Sequence, residues 1–384
     1  MLVVPLVLGG CCLNVVSGIS DESRSSGTTG GAETTTAGVT SGGSILCTVP
    51  ASDPTTTVTT LAGNGVQGFF DGSGGRDGTT QFHFPTGVVT DALGNLYVAD
   101  YLNFRIRKVD QDGNTATLAG NGIAALQDGT GGPDGTAAFA FPFALTIDHA
   151  SNILVADVQD NRVRQVDSSG NVTTLPCTGT EGMPFNDLSG IALGRSGQIL
   201  VADGFNNRIC KFGLRDGLAT ILAGGSQGNL NGTGTAAQFN HPTGVAVDAS
   251  GSVYIGDTLN NVIRKIDSAG NVTTFAGDGD AGFADGPSGS AQFAEPAGLS
   301  FDPVGNLIVA DSYGDRIRRI DPVGNVTTIA GNGQAGDTDG TGGASGTAEF
   351  NYPDGVAVDS ACNVYVAGNV DNRIRKVTFG VRQP

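Results

Sequence analysis

One sequence pattern occurs six times within residues 58–384, and it limits the folds that this chain can adopt. Its first complete copy consists of Phe84–Asp91, Gly94–Asp100, Asn103–Asp110 and Ala116–Gly120. These segments are short, rich in Val, Ile, Leu and Tyr, and separated by Gly, Asp and Asn, which is typical of β-strands joined by tight turns. The copies lie about 50 residues apart, in the range of propeller repeats. The pattern predicts an all-β protein, a six-bladed β-propeller with four-stranded antiparallel blades.

The second and third segments of this pattern return in every copy. The second segment recurs at Asn152–Asp157, Gln198–Asp203, Ser252–Asp257, Asn306–Asp311 and Asn363–Gly368. The third segment recurs at Arg162–Asp167, Arg208–Gly213, Val262–Asp267, Arg316–Asp321 and Arg373–Thr378. Polar residues seldom alternate with apolar ones in these strands. This pattern favours sheets whose two faces are both covered by neighbouring blades.

The outer strands show how the ring closes. Five copies end in an outer strand, at Ala116–Gly120, Val172–Leu175, Ala219–Gly224, Val272–Gly277 and Val326–Gly331. The sixth copy has none, whereas a matching segment, Val58–Gly63, precedes the first copy. We predict that Val58–Gly63 completes the last blade, because this closure removes an exposed sheet edge.

The repeat resembles that of the NHL family throughout residues 58–384. The resemblance rests on Pro-x-Gly-Val-Ala-Val-Asp at Pro242–Asp248 and Pro353–Asp359, and on Val-Ala-Asp followed by Arg-Ile-Arg at Val98–Arg107 and Val309–Arg318. It implies a rigid propeller that binds a protein, a peptide or a glycan through the loops of one rim.

Composition limits the partners that this chain can bind. The formal net charge is −17 and the isoelectric point is near 4.3. Nucleic-acid binding requires clustered Lys and Arg, so DNA and RNA are excluded as expected partners. No apolar run is long enough to span a bilayer, so we expect a membrane to be reached only through a lipid anchor. We expect a monomer.

The N-terminal part of the chain divides into two segments that we expect to lie outside the propeller. Residues 1–13 contain Leu8-Gly9-Gly10-Cys11, which resembles a bacterial lipobox and implies acylation of Cys11 after removal of a signal peptide. No Lys or Arg precedes Cys11, unlike the start of such a signal. Residues 14–57 are rich in Ser, Thr and Gly and predict a flexible tether. We interpret the protein as a cell-envelope lipoprotein of the outer membrane or periplasm, with secretion as the alternative.

The long loops that lead into the inner strands gather on one rim, which is the candidate binding face. In the third copy this loop, Thr178–Asp187, is about half as long as the others, which predicts a notch in the rim. The candidate binding residues lie at the rim and at the mouth of the central channel, and they are His83, Thr86, Phe143, Asp187, His241, Thr243 and Asp354.

Metal-dependent catalysis is the main alternative to binding. Peptidyl amidating lyases resemble this fold and hold zinc through His, in two cases directly after the repeat Pro, where this chain has Thr86, Phe143, Ser189, Thr243, Ala297 and Asp354. Gluconolactonase-like propellers hold a metal through acidic and amide side chains of the inner strands, and only Asp354 is acidic there. His83, His149 and His241 lack the spacing of metal-binding pairs. We predict no catalytic residue and no metal site, and we favour a binding scaffold over a lactonase or lyase, or over a structural or sensor module.

Acidic loop clusters offer a weaker metal hypothesis. Asp278-Gly279-Asp280 with Asp285, and Asp337-Thr338-Asp339, carry the oxygen ligands that Ca²⁺ prefers. Their spacing does not match a calcium-binding loop, so we expect these residues to form turns and we expect no cofactor.

An Asp ends the second segment of five copies, and an Arg follows five residues later in four of them. We interpret the pairs as structural braces across each hairpin, since charged hydrogen bonds are strong. The predicted pairs are Asp100–Arg105, Asp157–Arg162, Asp203–Arg208 and Asp311–Arg316, whereas Val262 in the fourth copy and Gly368 in the sixth each replace one member.

Four cysteines lie beyond Cys11 and Cys12. Secretion would permit disulfides, and both Cys47–Cys362 and Cys177–Cys210 are conceivable. The sequence leaves all three pairings of the four cysteines open.

Overall fold

The structure is a computed structural model that describes residues 56–177, 179–180, 183–214 and 217–380. Six antiparallel sheets follow one another along the chain as blades, and the four main strands of each lie in sequence order from the inner to the outer edge, except that the N-terminal strand is the fourth strand of the last blade. The predicted six-bladed propeller is therefore confirmed. Cys11, the tether up to residue 55 and the Cys47 half of one predicted disulfide lie outside the described residues. No helix among the described residues is long and apolar enough to span a membrane.

The strands of the first three blades are as follows. Blade one contains β2 (Pro85–Thr90), β3 (Leu96–Asp100), β4 (Arg105–Val109) and β5 (Thr115–Ala119). Blade two contains β6 (Pro142–Ile147), β7 (Ile153–Asp157), β8 (Arg162–Val166) and β9 (Val172–Thr174). A small hairpin, β10 (Gly179–Thr180) and β11 (Met183–Pro184), precedes blade three, which contains β12 (Leu188–Leu193), β13 (Ile199–Asp203), β14 (Arg208–Phe212) and β15 (Thr220–Gly224).

The remaining blades repeat this plan with short additions. Blade four contains β16 (Gly232–Thr233), β17 (Pro242–Val247), β18 (Val253–Asp257), β19 (Val262–Ile266) and β20 (Asn271–Ala276). Blade five contains β21 (Pro296–Phe301), β22 (Leu307–Asp311), β23 (Arg316–Ile320) and β24 (Val326–Ala330). Blade six contains β25 (Gly340–Thr341), β26 (Pro353–Val358), β27 (Val364–Gly368), β28 (Arg373–Thr378) and β1 (Thr57–Ala62). Single 3₁₀ turns lie at Tyr101–Asn103, Gly204–Asn206, Gly234–Ala236 and Thr258–Asn260.

The predicted ring closure is confirmed. Strand β1 pairs antiparallel with β28, with Thr57 opposite Thr378 and Val58 opposite Val377, and it also pairs with β25. Val58 is buried in the cluster of apolar side chains between blades five and six. Each of the six apolar clusters lies between two successive blades, so the N-terminal strand completes an interface as well as a sheet.

The inner strands approach one another so closely that a Cβ has no room at the Gly of the Pro-x-Gly motif, although blade two has Ala144 at the equivalent position. A Cβ on Gly244 would lie 1.9 Å from the carbonyl oxygen of Ala297 in the next blade, and one on Gly355 would lie 2.2 Å from that of Thr86. The Gly of the Pro-x-Gly motif therefore permits the backbone contact that sets the narrow channel.

Hairpins that join successive strands within a blade contain the predicted turns. In the first, Asp91 Oδ1 accepts the backbone N–H groups of Leu93 and Asn95, and the Asn95 amide donates to Asp91 Oδ2 at 2.8 Å. The same bonds form between Asp167 and Asn171. These hydrogen bonds hold the pKa of Asp167 below its ordinary value. The Asp-x-x-Gly-Asn motif thus explains why each hairpin closes where it does.

A fully buried arginine at one position organises five of the six blades. Arg318 is a typical case, because it donates to buried Asp311 at 2.7 Å, to Asp285 of the preceding loop at 2.8 Å, and to the Gln292 and Ala284 carbonyls. It also lies 5.2 Å from the centre of the Phe293 ring. The equivalent arginines are Arg107, Arg164, Arg264 and Arg375. Each of them ties a rim loop to its blade.

The observed pairing corrects the predicted braces in three blades. The observed partners are Asp100–Arg107 at 2.6 Å, Asp157–Arg164 at 3.4 Å and Asp311–Arg318 at 2.7 Å. Residues two apart on a strand share a face, so the predicted Arg105, Arg162 and Arg316 point the same way as the true partners. These three lie nearer the surface and donate to backbone carbonyls.

Blade three keeps the predicted pair because its sequence differs. Arg208 donates to Asp203 at 2.6 Å, and Cys210 stands where the other blades have the buried arginine. Cys210 packs with Cys177 and Phe185 in an apolar cluster. Both cysteines carry thiols, so the conceivable Cys177–Cys210 disulfide is not formed. Burial raises the pKa of Cys210 to about 12. Cys362 is disulfide-bonded.

The two blades that we expected to lack a brace both have one. In blade four Arg264 pairs with Asp257 at 2.9 Å. The presence of Val262 in place of an Arg therefore leaves the ion pair of this blade intact. In blade six Asp371 lies 3.5 Å from Arg375 and replaces the strand Asp that Gly368 lacks. A Cβ on Gly368 would lie 1.9 Å from Asp371 Oδ1, which shows that this carboxylate occupies the space of the usual Asp.

Candidate functional site

The central channel narrows to a small pocket on the loop rim. Its lining begins with the six residues that follow the repeat Pro, namely Thr86, Phe143, Ser189, Thr243, Ala297 and Asp354. The cavity measures about 70 Å³. A wider cavity of about 330 Å³ opens at the opposite end of the channel. Both cavities are bounded by the same aliphatic side chains, Val88, Leu145, Ile191, Val245, Leu299 and Val356. The rim pocket therefore has an apolar floor.

Three further rings of residues surround this pocket, and together with the lining they form what we call the mouth. The residues that follow the strand Asp are Tyr101, Val158, Gly204, Thr258, Ser312 and Asn369. The next residues along the chain are Leu102, Gln159, Phe205, Leu259, Tyr313 and Val370. The residues that precede the repeat Pro, or Leu188 in blade three, are Phe84, Phe141, Asp187, His241, Glu295 and Tyr352.

Five of the six blades position a mouth residue of the neighbouring blade, and blade one has Phe104 in place of the accepting side chain. A left-handed residue after the second strand accepts the backbone N–H of the pre-Pro residue in the next blade. Asn207 accepts that of His241 at 2.9 Å, and Asn161 accepts that of Asp187 at 2.7 Å. His241 and Asp187 are themselves left-handed, with φ of 53° and 68°. Such φ values are unusual for these residues and are common at functional sites.

Hydroxyl groups of the mouth also join adjacent blades. Thr86 donates to the Phe143 carbonyl at 2.8 Å, Ser312 donates to the Pro353 carbonyl at 2.7 Å, and Thr258 donates to the Pro296 carbonyl at 2.9 Å. Thr243 lies 2.6 Å from the Thr258 hydroxyl. These donors are occupied by the scaffold, so their main effect is to hold the ring of inner strands in place.

Asp354 is the acidic group of the pocket lining. It is 6% exposed, and among the described residues its recorded hydrogen bond is from the Asn369 amide to Oδ2, at 3.3 Å. Burial raises the pKa of Asp354 to about 7, and the bond from Asn369 opposes that rise. A buried carboxyl with so little support reduces stability when it is ionised, which is a property found at binding and catalytic sites.

We predict that Asp354→Asn stabilises the protein near neutral pH. The unfolded carboxyl titrates near pH 4 and the folded one near pH 7, so the wild type loses stability as pH rises from about 4 to 7. The gain for the variant should be on the order of 4 kcal/mol at most above pH 7. Urea unfolding of both proteins across this range measures it. A difference that does not grow with pH would contradict this account.

His241 and Asp187 form a second polar pair at the mouth. Asp187 Oδ2 lies 2.7 Å from His241 Nε2, and both residues are buried. The Phe205 ring lies 5.0 Å from the imidazole. His241 Nδ1 has no hydrogen-bond partner among the described residues, although buried polar atoms usually have one. His241 Nδ1 is therefore a buried polar atom whose hydrogen-bonding capacity is not used by the described residues.

The structure brings together most of the predicted binding residues. Thr86, Phe143, Thr243 and Asp354 line the pocket, and Asp187 and His241 pair beside it. His83 lies farther out, where its imidazole contacts the Gln67 side chain and partial burial lowers its pKa. Two residues of the acidic loop clusters form ion pairs with buried arginines, Asp285 with Arg318 and Asp339 with Arg375. The expectation that the protein has no cofactor, with Ca²⁺ in these clusters as the weaker alternative, stays a prediction.

Sequence reasoning missed Tyr101, Glu295, Tyr352 and Asn369. The Tyr352 hydroxyl lies 3.0 Å from Glu295 Oε2, and the Tyr101 ring packs 5.9 Å from Phe143. Their signal was the position directly before the repeat Pro or directly after the strand Asp, and each of these markers occurs in five copies, with Leu188 replacing the Pro in the third copy and Gly368 replacing the Asp in the sixth.

Metal chemistry finds little support in the site. Within the part of the chain that the structure describes, no three His, Cys, Asp or Glu side chains lie close enough together to hold a metal ion. His83 and His149 do not approach the Asp187–His241 pair in any recorded contact of the described residues.

Comparison with known proteins identifies the repeat. Residues 82–109 match the NHL repeat. The chain is 32% identical over 286 residues to Protein SUPPRESSOR OF QUENCHING 1, chloroplastic, of Arabidopsis thaliana, a match that covers 68% of this chain and 27% of that protein. It is 28% identical over 296 residues to NHL repeat-containing protein 2 of Bos taurus, covering 65% and 40% respectively. The chain belongs to the NHL-repeat propeller family. This NHL propeller spans well under half the length of those relatives.

Solved structures share the fold of this NHL propeller at low identity. An auxiliary nutrient binding protein of Bacteroides thetaiotaomicron has 17% identity and a TM-score of 0.64, with 84% of this chain and 76% of that chain covered. A streptogramin B lyase has 16% identity and a TM-score of 0.54, with 86% and 100% covered. At these identities the likeness shows the fold alone.

Proposed function

We propose that this NHL propeller is a binding module that holds a ligand at the mouth and the surrounding rim loops without transforming it. The observation that carries the proposal is Asp354, a buried carboxyl that faces the pocket with one recorded hydrogen bond among the described residues. Such a group reduces stability unless something binds it, so its position is explained by a ligand. The ligand is a glycan, a peptide or a segment of a protein.

Two further features support this proposal. The mouth residues are held by bonds between blades, and a rigid scaffold keeps a site ready for its ligand. One propeller of the same fold is described as a nutrient binding protein. We propose further that the protein acts at the cell envelope, anchored through Cys11, or as a secreted protein.

The chain contains no Trp, which permits a clean test. In Phe143→Trp the single indole reports occupancy of the pocket by fluorescence. A library of sugars, amino acids and short peptides should contain ligands that bind this reporter, and adding Asp354→Ala should weaken them about 10- to 100-fold, as expected for loss of a charged hydrogen bond. Thr146→Ala, at the opposite end of the channel, is the matched control and should bind normally. Ligand affinities that do not change in Asp354→Ala would contradict the proposal. A divalent metal ion bound in stoichiometric amount would also contradict it.

A lyase is the second candidate function, and the Asp187–His241 pair favours it. A carboxylate that orients an imidazole is a common arrangement for general-base catalysis. One propeller of the same fold is a streptogramin B lyase. Turnover of a bound ligand that His241→Ala abolishes, while binding persists, would establish a lyase in place of a binding module.

A further inference from the structure

The mouth presents hydrogen-bond acceptors without a fixed positive charge. Its four rings comprise 24 positions, and these include three carboxylates, Asp187, Glu295 and Asp354, but neither Lys nor Arg. Asp187 is engaged by His241, and the Tyr352 hydroxyl lies beside Glu295. Asp354 is the carboxylate that remains available to a ligand inside the pocket.

Near the Tyr101 hydroxyl, Asp187 and Asp354 have no arginine partner among the described residues, whereas Asp157 pairs with Arg164 at 3.4 Å. Asp187, Asp354 and Asp157 each add to the effect of burial in raising the pKa of the Tyr101 hydroxyl. The same carboxylates therefore disfavour any additional negative charge at that hydroxyl, and they favour a positive one. An anionic ligand would meet unfavourable potential at the mouth.

Aromatic side chains lie in the pocket lining beside Asp354 and on the outer ring of the mouth. The Tyr101 ring lies 5.0 Å from Phe141 and 5.9 Å from Phe143, which itself lines the pocket. On the outer ring, Phe205 is 54% exposed and Tyr313 is 68% exposed. Aromatic faces attract cations and also pack against the apolar body of a ligand.

The size of the pocket limits what can enter it. Its volume of about 70 Å³ is far below the ~300–1,000 Å³ of pockets that enclose drug-sized ligands. A small headgroup fits there, while the rest of the ligand must lie on the rim. A sugar ring would meet the apolar floor of aliphatic side chains, which offers it no hydrogen bonds.

We infer that the mouth binds a primary ammonium group carried on an apolar or aromatic body. The ammonium donates to Asp354 in the pocket, and the body packs against the Tyr101 and Phe143 rings. This inference rests on the proposed function, since it names the ligand class of the same site. It assigns to Asp354 the role of charge partner and to the aromatic ring the role of a hydrophobic platform.

The test uses benzylamine as the probe, with benzyl alcohol and benzoate as neutral and anionic probes of similar shape. Isothermal titration of the full chain near pH 8, where Asp354 is mostly ionised, should show one benzylamine site. Benzyl alcohol should bind at least tenfold more weakly, and benzoate should show no binding. Asp354→Asn should weaken benzylamine at least tenfold. Asp280→Asn, which removes the same charge from an exposed loop, is the matched control and should not change the affinity.

Several results would overturn the inference. A benzylamine affinity that is unchanged in Asp354→Asn, or that falls by the same factor in Asp280→Asn, would show that only the net negative charge of the protein attracts the probe. Equal binding of benzyl alcohol, or binding of maltose without benzylamine, would assign a neutral ligand and leave the proposed binding site intact. Failure of every probe here, with library ligands still bound in the Phe143→Trp assay, would refute the ammonium inference alone. Failure in both assays would refute the binding function as well.

Discussion

Deletion of Thr57–Gly63 is expected to yield a chain that no longer folds cooperatively. The deletion removes the outer strand of blade six, which pairs with β28 from Thr57–Thr378 to Ala62–Ile374. It also removes the bond from Thr60 to Asp339 at 2.9 Å, which is part of the environment of Arg375. The last blade would then have three strands and an exposed edge.

The expected size of this effect follows from what the strand buries. Val58 and Ala62 are fully buried, and a buried valine contributes about 2 kcal/mol. Each of the ladder hydrogen bonds contributes about 1 kcal/mol. Their combined loss approaches the ~5–15 kcal/mol that stabilises a typical domain. Opening the apolar cluster between blades five and six adds to it.

Thermal unfolding followed by circular dichroism measures the result. The matched control removes the same number of residues, 24–30, from the Ser-, Thr- and Gly-rich segment, and it should melt like the wild type. The shortened strand variant should be insoluble or should show no cooperative transition. A cooperative transition at the wild-type temperature would show that the ring does not depend on its N-terminal strand.

The closure could be predicted because it is a matter of counting. Five copies carry their own outer strand, the sixth does not, and Val58–Gly63 has the same sequence pattern. The strand bounds were equally accessible, since Asp-x-x-Gly-Asn turns mark the hairpins. A pattern repeated six times averages out the local ambiguities that limit the interpretation of a single strand.

The candidate site was only partly accessible from the sequence. The residues after the Pro of each copy were identified because they begin the inner strands that line the channel. The pairing of Asp187 with His241 and of Asn369 with Asp354 depends on the angle between neighbouring blades and on the reach of side chains. These quantities are set by tertiary packing and have no signature in the repeat.

The braces show a limit of register arguments. Asp100 lies directly opposite Arg105 in the ladder, yet its side chain bonds Arg107 on the diagonal. The deciding factor is the rim loop, whose Asp71 is 2.6 Å from Arg107 and places a second carboxylate above that position. Blade three supports this account, because its loop is short and Cys210 replaces the arginine there.

Replacing Arg318 with Met is expected to cost about 3–5 kcal/mol, the usual penalty when one partner of a buried ion pair is removed. Asp311 is fully buried, and without Arg318 it keeps only the backbone N–H of Ala294 at 2.6 Å as a recorded donor among the described residues. Asp285 would lose its bond of 2.8 Å as well. The rim loop that it holds should loosen.

The matched control is Arg316→Met, which alters the arginine that the hairpin register favours as the partner of Asp311. Arg316 is half-buried, donates to the Gly314 and Asn332 carbonyls, and lies over the exposed Phe283 ring at 4.3 Å. Its loss should cost about 1 kcal/mol, since the carbonyls that it leaves can bind water.

Thermal unfolding of the two variants, followed by circular dichroism, separates the two pairings. Arg318→Met should lower the melting temperature on the order of 10 °C, and Arg316→Met by only a few degrees. Arg318→Met combined with Asp311→Leu should recover part of the loss, because removing both charges leaves no buried ion unpaired. Equal effects of the single variants, or no recovery in the double variant, would show that the buried arginine acts by filling space. In the expected case, its two carboxylate partners are what join each rim loop to its blade and so hold the mouth in shape.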